Sequence, residues 1–184
     1  MTPIFARPRA ARDIDKVKLL LEKKANVNAR ADSGITALMV AARHRGNVAV
    51  VDHMLKNGAE PNAGKGVEVR DNASAHFFAV TARDVTMSQA LLDAGGLSRS
   101  RWLGIADTSP LSYATQAGDT AMVEHLLSRG ANANEIDDFG ISAVGWAAIN
   151  NHVGALHVLL AKGANVNHKS KAGFTPLMYA ASID

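Results

Sequence analysis

The chain of 184 residues contains no cysteine, which excludes disulfides and thiolate metal ligation. It has no run of about 18 apolar residues, so no membrane insertion is expected. The segment from Met1 to Arg12 carries Arg7, Pro8, Arg9 and Arg12 but no continuous apolar stretch; it does not read as a secretory signal. There is no Gly-rich phosphate loop, no His-Glu-x-x-His and no Gly-x-Ser-x-Gly, the spacings through which phosphate binding, zinc hydrolysis and serine nucleophiles are usually built. Aromatic residues make up only 5% of the chain. These absences argue against catalysis, cofactors and metal, and they leave the compartment open, with the cytoplasm favoured.

What is present is a period. Ser109, Ser142 and Thr175 open the same pattern at two equal intervals, and a fixed period of about 33 residues marks a stacked repeat array. The cleanest copy is SAVGWAAINNHVGALHVLLAKGANVN, residues 142–167. Its opening Ser or Thr can accept a hydrogen bond from a first-turn amide, as an N-cap does. Pro110 and Pro176 follow at the first helical position, where a missing amide costs nothing. Ala114, Ala147-Ala148 and Ala180-Ala181 allow close approach, and Gly118 breaks the short helix. A second helix carries its apolar residues at i, i+3, i+4, as in Val123, Leu126, Leu127 and in Leu156, Leu159, Leu160. Gly130 and Gly163 end it, because glycine takes the left-handed conformation without penalty. Asn-x-Asn then favours a turn.

TPLMYAA at 175–181, SPLSYAT at 109–115 and the Leu-Leu-x-x-Gly-Ala-Asn-x-Asn endings resemble the ankyrin repeat family. The resemblance covers nearly the whole chain. It implies an all-α ankyrin-repeat solenoid of stacked helix-turn-helix units with β-turn, hairpin-like connecting loops. One ankyrin repeat domain over 1–184 is expected, with units at about 2–29, 30–62, 63–98, 99–134, 135–167 and a partial unit at 168–184. Five second helices should centre near residues 18, 52, 89, 124 and 157, packed along one continuous core with Val17, Leu20, Leu21 and Leu160 inward.

The units are not uniform. Pro8 falls where the first unit needs a helix interior, and Lys24 replaces the usual Gly. The second unit carries an extra residue near Arg43-His44-Arg45. In the third, the turn from Asn62 to Ser74 is longer than its regular counterpart from Asn134 to Ser142, and Val67 and Val69 alternate as in a short hairpin. Arg83 there stands in the place of Gly118, and His76 in that of the first-helix Leu. The fourth turn, from Ser98 to Ser109, is lengthened as well. The chain stops where a sixth second helix should begin and shows no polar capping repeat, so a segment of a longer protein is expected.

Residues 1–45 hold ten Lys or Arg against four Asp or Glu. Such an end is either a solvated helix surface or a contact for an acidic partner. Nucleic acid is the less favoured partner, because no aromatic residues interleave with these charges. His53 and His125 fall at equivalent places two units apart, too far to share a metal at roughly 10 Å per helix layer.

Val40, Phe78, Tyr113, Trp146 and Tyr179 hold one position in successive units, and stacking makes them either an inter-repeat packing column or a partly exposed ladder. Family resemblance implies partner contact through the turn tips and the concave first-helix face. The matching tip residues are Arg30, Asp32, Ser33 and Ile35; Asp138, Phe139 and Ile141; and Lys171 and Phe174. Arg101 and Trp102 sit in the fourth, lengthened turn, where they either meet a partner or seal an irregular junction. The function read from this is non-catalytic protein recognition. A regulatory or targeting segment of a larger enzyme-containing protein is the alternative, and a structural or self-assembling array comes third.

Overall fold

The computed structural model describes residues 14–63, 74–96 and 108–182. The stretch around Pro8 where the first unit needs a helix, the Val67–Val69 segment, Arg101 and Trp102 lie outside them. The described residues form ten helices, in order α1 (Ile14–Glu22), α2 (Ala37–Ala42), α3 (Val48–Lys56), α4 (Ala75–Thr81), α5 (Val85–Asp93), α6 (Pro110–Gln116), α7 (Thr120–Ser128), α8 (Ala143–Ile149), α9 (Val153–Ala161) and α10 (Pro176–Ala181). Short helices α2, α4, α6, α8 and α10 pack on one another in one layer, and the nine-residue helices α1, α3, α5, α7 and α9 form the second. The second-layer helices centre on residues 18, 52, 89, 124 and 157, as the Leu-Leu recurrences indicate. Among the described residues there is no strand; antiparallel bridges pair Arg30 with Thr36 and Ile136 with Ser142 at the necks of two turns. The fold is an all-α solenoid.

Each short helix starts where its hydroxyl cap dictates. Thr36, Ser74, Ser109, Ser142 and Thr175 accept hydrogen bonds from the amides of Met39, Phe77, Ser112, Gly145 and Met178, three positions on. Pro110 and Pro176 stand at the first helical position. At Gly118, φ is +66°, and an added Cβ would lie 2.7 Å from the His152 ring, so this turn needs glycine twice over. Arg83 and Asn151 nevertheless adopt φ of 57° and 56° at the same turn of their repeats, and Lys24 holds 63° where Gly58, Gly130 and Gly163 follow the longer helix.

The Asn-x-Asn pairs divide their labour. The first Asn closes the local turn: Asn26, Asn132 and Asn165 accept from the amides of Asn28, Asn134 and Asn167. The second reaches the next repeat. Asn28 donates to the Gly58 carbonyl at 2.9 Å and accepts from the Glu60 amide at 2.9 Å. Asn134 likewise donates to Gly163 and accepts from Asn165, and Asn62 donates to Gly95. These bonds satisfy carbonyls that a helix end leaves open.

The core departs from a single continuous stripe. One buried cluster gathers α2 to α5 (with Leu38, Val51, Met87 and Leu91), the other α6 to α9 (with Leu111, Met122, Leu126 and Leu159). They adjoin where Val80 of α4 joins the second cluster and Phe77 meets Tyr113 edge-on, centroids 5.6 Å apart. His76 occupies the first-helix column that holds Leu38, Leu111 and Val144 elsewhere, and it is fully buried. Its Nε2 lies 2.9 Å from Ser88 Oγ, and Ser88 in turn stands where α3 has Val51 and α7 has Val123. A polar pair has replaced an apolar pair, so His76 is matched rather than merely lost.

Leu20 and Leu160 do not point inward as expected. Leu20 is 59% exposed and Leu160 39%, whereas Leu127, at the position of Leu160 in α7, is 8% exposed. Helix α7 has α9 stacked beside it, and no described second-layer helix lies beyond α9. The same asymmetry leaves Leu177 at 77% where Leu38, Leu111 and Val144 are closed. Val17 and Leu21 are half-buried, and α1 has no fully buried residue.

Two tests follow from this packing. Leu126→Ala should lower unfolding free energy by about 2–5 kcal/mol in a urea melt, the range for truncating a buried aliphatic chain. Leu160→Ala should cost well under half as much; equal losses would mean α9 is covered on its outer side. The second test is acid sensitivity. Burial holds the His125 imidazole below its usual 6.5; Arg129 adds to this and Asp93 opposes it. Its Nε2 is buried without a hydrogen-bond partner. The folded state therefore binds fewer protons than the unfolded one below about pH 6.5, and stability falls as pH drops through that point. His125→Val, copying Val158 at the same place in α9, should flatten the fall between pH 7 and 5, as read from midpoints of denaturation at each pH.

Candidate recognition surface

Asp137 is the residue on which the clearest turn tip is built. Its Oδ1 accepts from the amides of Phe139 and Ile141, both at 2.9 Å, and its Oδ2 accepts from the Trp146 indole Nε1 at 2.8 Å. The backbone adds Gly140 N to the Asp137 carbonyl and Asp137 N to the Ile141 carbonyl. Asp137 is buried at the neck while Asp138 and Phe139 project beyond it. The tip before α10 repeats the scheme with a hydroxyl. Ser170 Oγ accepts from the Phe174 amide at 3.3 Å and from the Tyr179 hydroxyl at 2.9 Å. Asp137 and Ser170 are one repeat period apart, as are Trp146 and Tyr179. At the corresponding places before and in α2 stand Ala31 and Val40, neither with a polar side-chain atom.

The aromatic column thus belongs neither wholly to the core nor to an open ladder. Phe78, Tyr113, Trp146 and Tyr179 are half-buried and Val40 is 40% exposed. Two of the polar aromatic atoms hold tips in place. Phe78 carries the Arg43 guanidinium over its ring at 5.4 Å.

Neighbouring tips are joined. The Lys171 amide donates to the Phe139 carbonyl at 3.1 Å, and His168 Nε2 donates to the Gly140 carbonyl at 2.9 Å. The approach is close enough that a Cβ on Gly140, where φ is +69°, would sit 2.9 Å from Lys171 N. Phe139 is left 54% exposed and Phe174 44% exposed, the latter stacked on Tyr179 with centroids 5.4 Å apart.

The sequence-expected tip residues fall into two groups. Arg30, Asp32, Ser33, Asp138, Phe139, Lys171 and Phe174 are exposed. Ile35 and Ile141 are half-buried instead: Ile35 packs against the α2–α5 cluster, and the Ile141 methyl lies 2.9 Å from where a Cβ of Gly145 would be. The structure brings 138–141 and 171–174 together, while 30–35 lies at the other end of the described array. Asp137, Ser170 and His168 escaped the sequence reading. A polar residue nine positions before a hydrogen-bonding aromatic, occurring twice, was the available signal.

Among the described residues no group of three or more His, Asp or Glu converges as metal ligands would, and no helix is long and apolar enough to cross a membrane.

Comparison with known proteins agrees with this architecture. The family model described as ankyrin repeats (3 copies) matches residues 5–65 and 111–183. The chain is similar to the human mitochondrial disaggregase, at 31% identity over 181 residues, covering 92% of this chain and 23% of that protein. It is also similar to human neurogenic locus notch homolog protein 1, at 42% identity over 73 residues, covering 40% of this chain and 3% of that one. For the Xenopus laevis notch homolog the figures are 31% over 149 residues, 80% and 6%. The chain therefore spans less than a quarter of each of these relatives.

The tip scaffold can be tested without a partner. Asp137→Ala removes the acceptor of three donors and should cost about 1–3 kcal/mol, the usual penalty for stranding a polar group. In a Trp102→Phe background the remaining Trp146 emission should shift to the red. Phe139→Ala should change stability by no more than about 0.5 kcal/mol, as exposed substitutions do. An unshifted Trp146 spectrum would show that Asp137 does not hold the indole.

Proposed function

The chain belongs to the ankyrin repeat family, and from that premise we propose that it is a non-catalytic protein-recognition module. Repeats of this family are protein-interaction modules; the finer reading is that this chain binds through Arg30, Asp32, Ser33 and Ile35, Arg101 and Trp102, Asp138, Phe139 and Ile141, and Lys171 and Phe174, together with the first-helix face. In the same reading residues 1–184 form one repeat domain divided at 29, 62, 98, 134 and 167. The observation that carries it is Phe139: a large apolar side chain, 54% exposed, on a tip that Asp137 and the neighbouring Lys171 amide hold in place. Folding gains nothing from exposing that ring, whereas a rigid aromatic anchor loses little entropy when a partner covers it. Two bound tips side by side make the surface preformed.

A second reading rests on the mitochondrial disaggregase, which this chain resembles over 92% of its length while covering 23% of that protein. On that reading the array positions or regulates an enzymatic region elsewhere in a longer polypeptide. Both readings use the same surface.

The test is comparative capture from the native host, followed by titration of the retained protein. Phe139→Ala combined with Trp102→Ala should weaken binding more than tenfold with the melting temperature within a degree or two of the parent. Unchanged affinity with a lower melting temperature would retire the tip surface as the binding site and make these residues structural.

A further inference from the structure

At the end of the first helices opposite the tips, the loops joining each helix pair stack into an open cleft of about 670 Å³ lined by Arg45, Gly46, Arg83, Asp84, Thr86 and Asp119, among others. Both of its cations come from departures from the repeat. The interval from cap to cap, Thr36 to Asn47, is one position longer than Ser74 to Asp84, Ser109 to Asp119 or Ser142 to His152. Arg45 stands in that longer loop. Arg83 takes a place that is glycine at Gly118, and it holds φ at 57°. Left-handed backbone strains a non-glycine residue, and strain of this kind gathers at functional sites.

The cleft's carboxylates are already occupied. Asp84 accepts from Met87 N at 3.0 Å and from Gly46 N at 2.7 Å and is buried. Asp119 accepts from Met122 N at 3.2 Å and lies 3.3 Å from Arg83 Nε. Arg83 also donates through one terminal nitrogen to the Ala117 carbonyl at 2.5 Å, and its side chain is 50% exposed. A guanidinium has five N–H donors, so these two bonds leave donors over. Arg45 is exposed and forms no ion pair with any described carboxylate. Two guanidinium groups thus face one cleft whose acids are engaged by the backbone and by Arg83.

We propose that this cleft, bounded by Arg45 and Arg83, is a second binding site that takes the carboxylates of an acidic protein segment. Guanidinium matches a carboxylate through paired N–H bonds. An acidic segment fits better than nucleic acid, because the cleft has no aromatic side chain on which a base could stack. This reading stands apart from the tip surface.

The experiment uses amide chemical shifts of the full chain titrated with an acetylated, amidated hexaglutamate peptide, and in parallel with decathymidylate. Expected are saturable shifts at Gly46, Arg83, Thr86 and Ala121, with Phe139, Gly140 and Lys171 unmoved. Binding should weaken severalfold as ionic strength rises from about 0.05 to about 0.2 M, since screening shortens the reach of exposed charges. It should weaken at least fivefold in Arg45→Gln, and beyond detection in Arg45→Gln with Arg83→Gly. The glycine relieves the backbone strain, so the double variant keeps its fold, as its melting curve will show. No saturable shift at the cleft, equal affinity in Arg45→Gln, or tighter binding of decathymidylate at the same amides would each overturn the proposal. Since the tip amides report separately, failure here leaves the tip reading untouched.

Discussion

Everything in this chain depends on stacking between neighbouring helix pairs. Helices of six or seven residues, such as α2 and α6, fall far short of the length at which a helix holds in water unaided. Nor can one short and one nine-residue helix bury their apolar sides against each other alone. Leu38, Leu111 and Val144 are closed only because the next pair lies over them, and Leu177, with no described pair beyond it, is 77% exposed. The polar bonds follow the same logic. Asn28 and Asn134 reach across to the next turn, and His152 donates from Nε2 to the Gln116 carbonyl at the end of α6 in the preceding repeat, at 3.0 Å.

Stacking also makes polar substitutions inside the array tolerable, provided they come in pairs. His76 with Ser88 replaces an aliphatic pair close to where the two apolar clusters adjoin. Asp137 with Trp146 and Ser170 with Tyr179 replace the apolar Ala31 and Val40 at the neck of the tips. Each pair satisfies atoms that burial would otherwise leave costly. The tips gain rigidity from the same bonds, which is how a rule of polar satisfaction becomes a preformed surface around Phe139.

The irregular positions carry the individuality of the protein. An array of identical repeats would present identical loops, and a partner could not tell one register from another. The extra residue that carries Arg45 and the arginine at a glycine position at 83 each break the pattern locally while leaving the helix layers undisturbed. Recognition can vary at the loops because the scaffold beneath them does not.

The sequence alone determined the helix pairs, their caps and their order, because these rest on short-range rules: a hydroxyl three positions before an open amide, glycine after Leu-Leu, apolar residues at helical spacing. It also placed Asp138, Phe139, Lys171 and Phe174 on tips, since a constant repeat period carries one turn's geometry to the next. Only the tertiary structure decided what those positions face. Leu20 and Leu160 share the apolar character of Leu126 and Leu127, yet their burial depends on what lies beside α1 and α9. Ile35 and Ile141 read as tip residues, and stacking half-buries both while Phe139 and Phe174 stay exposed. The partnership of Asp137 with Trp146, and the meeting of Arg45 and Arg83 from successive repeats, depend on how loops stack in space, which no local spacing encodes.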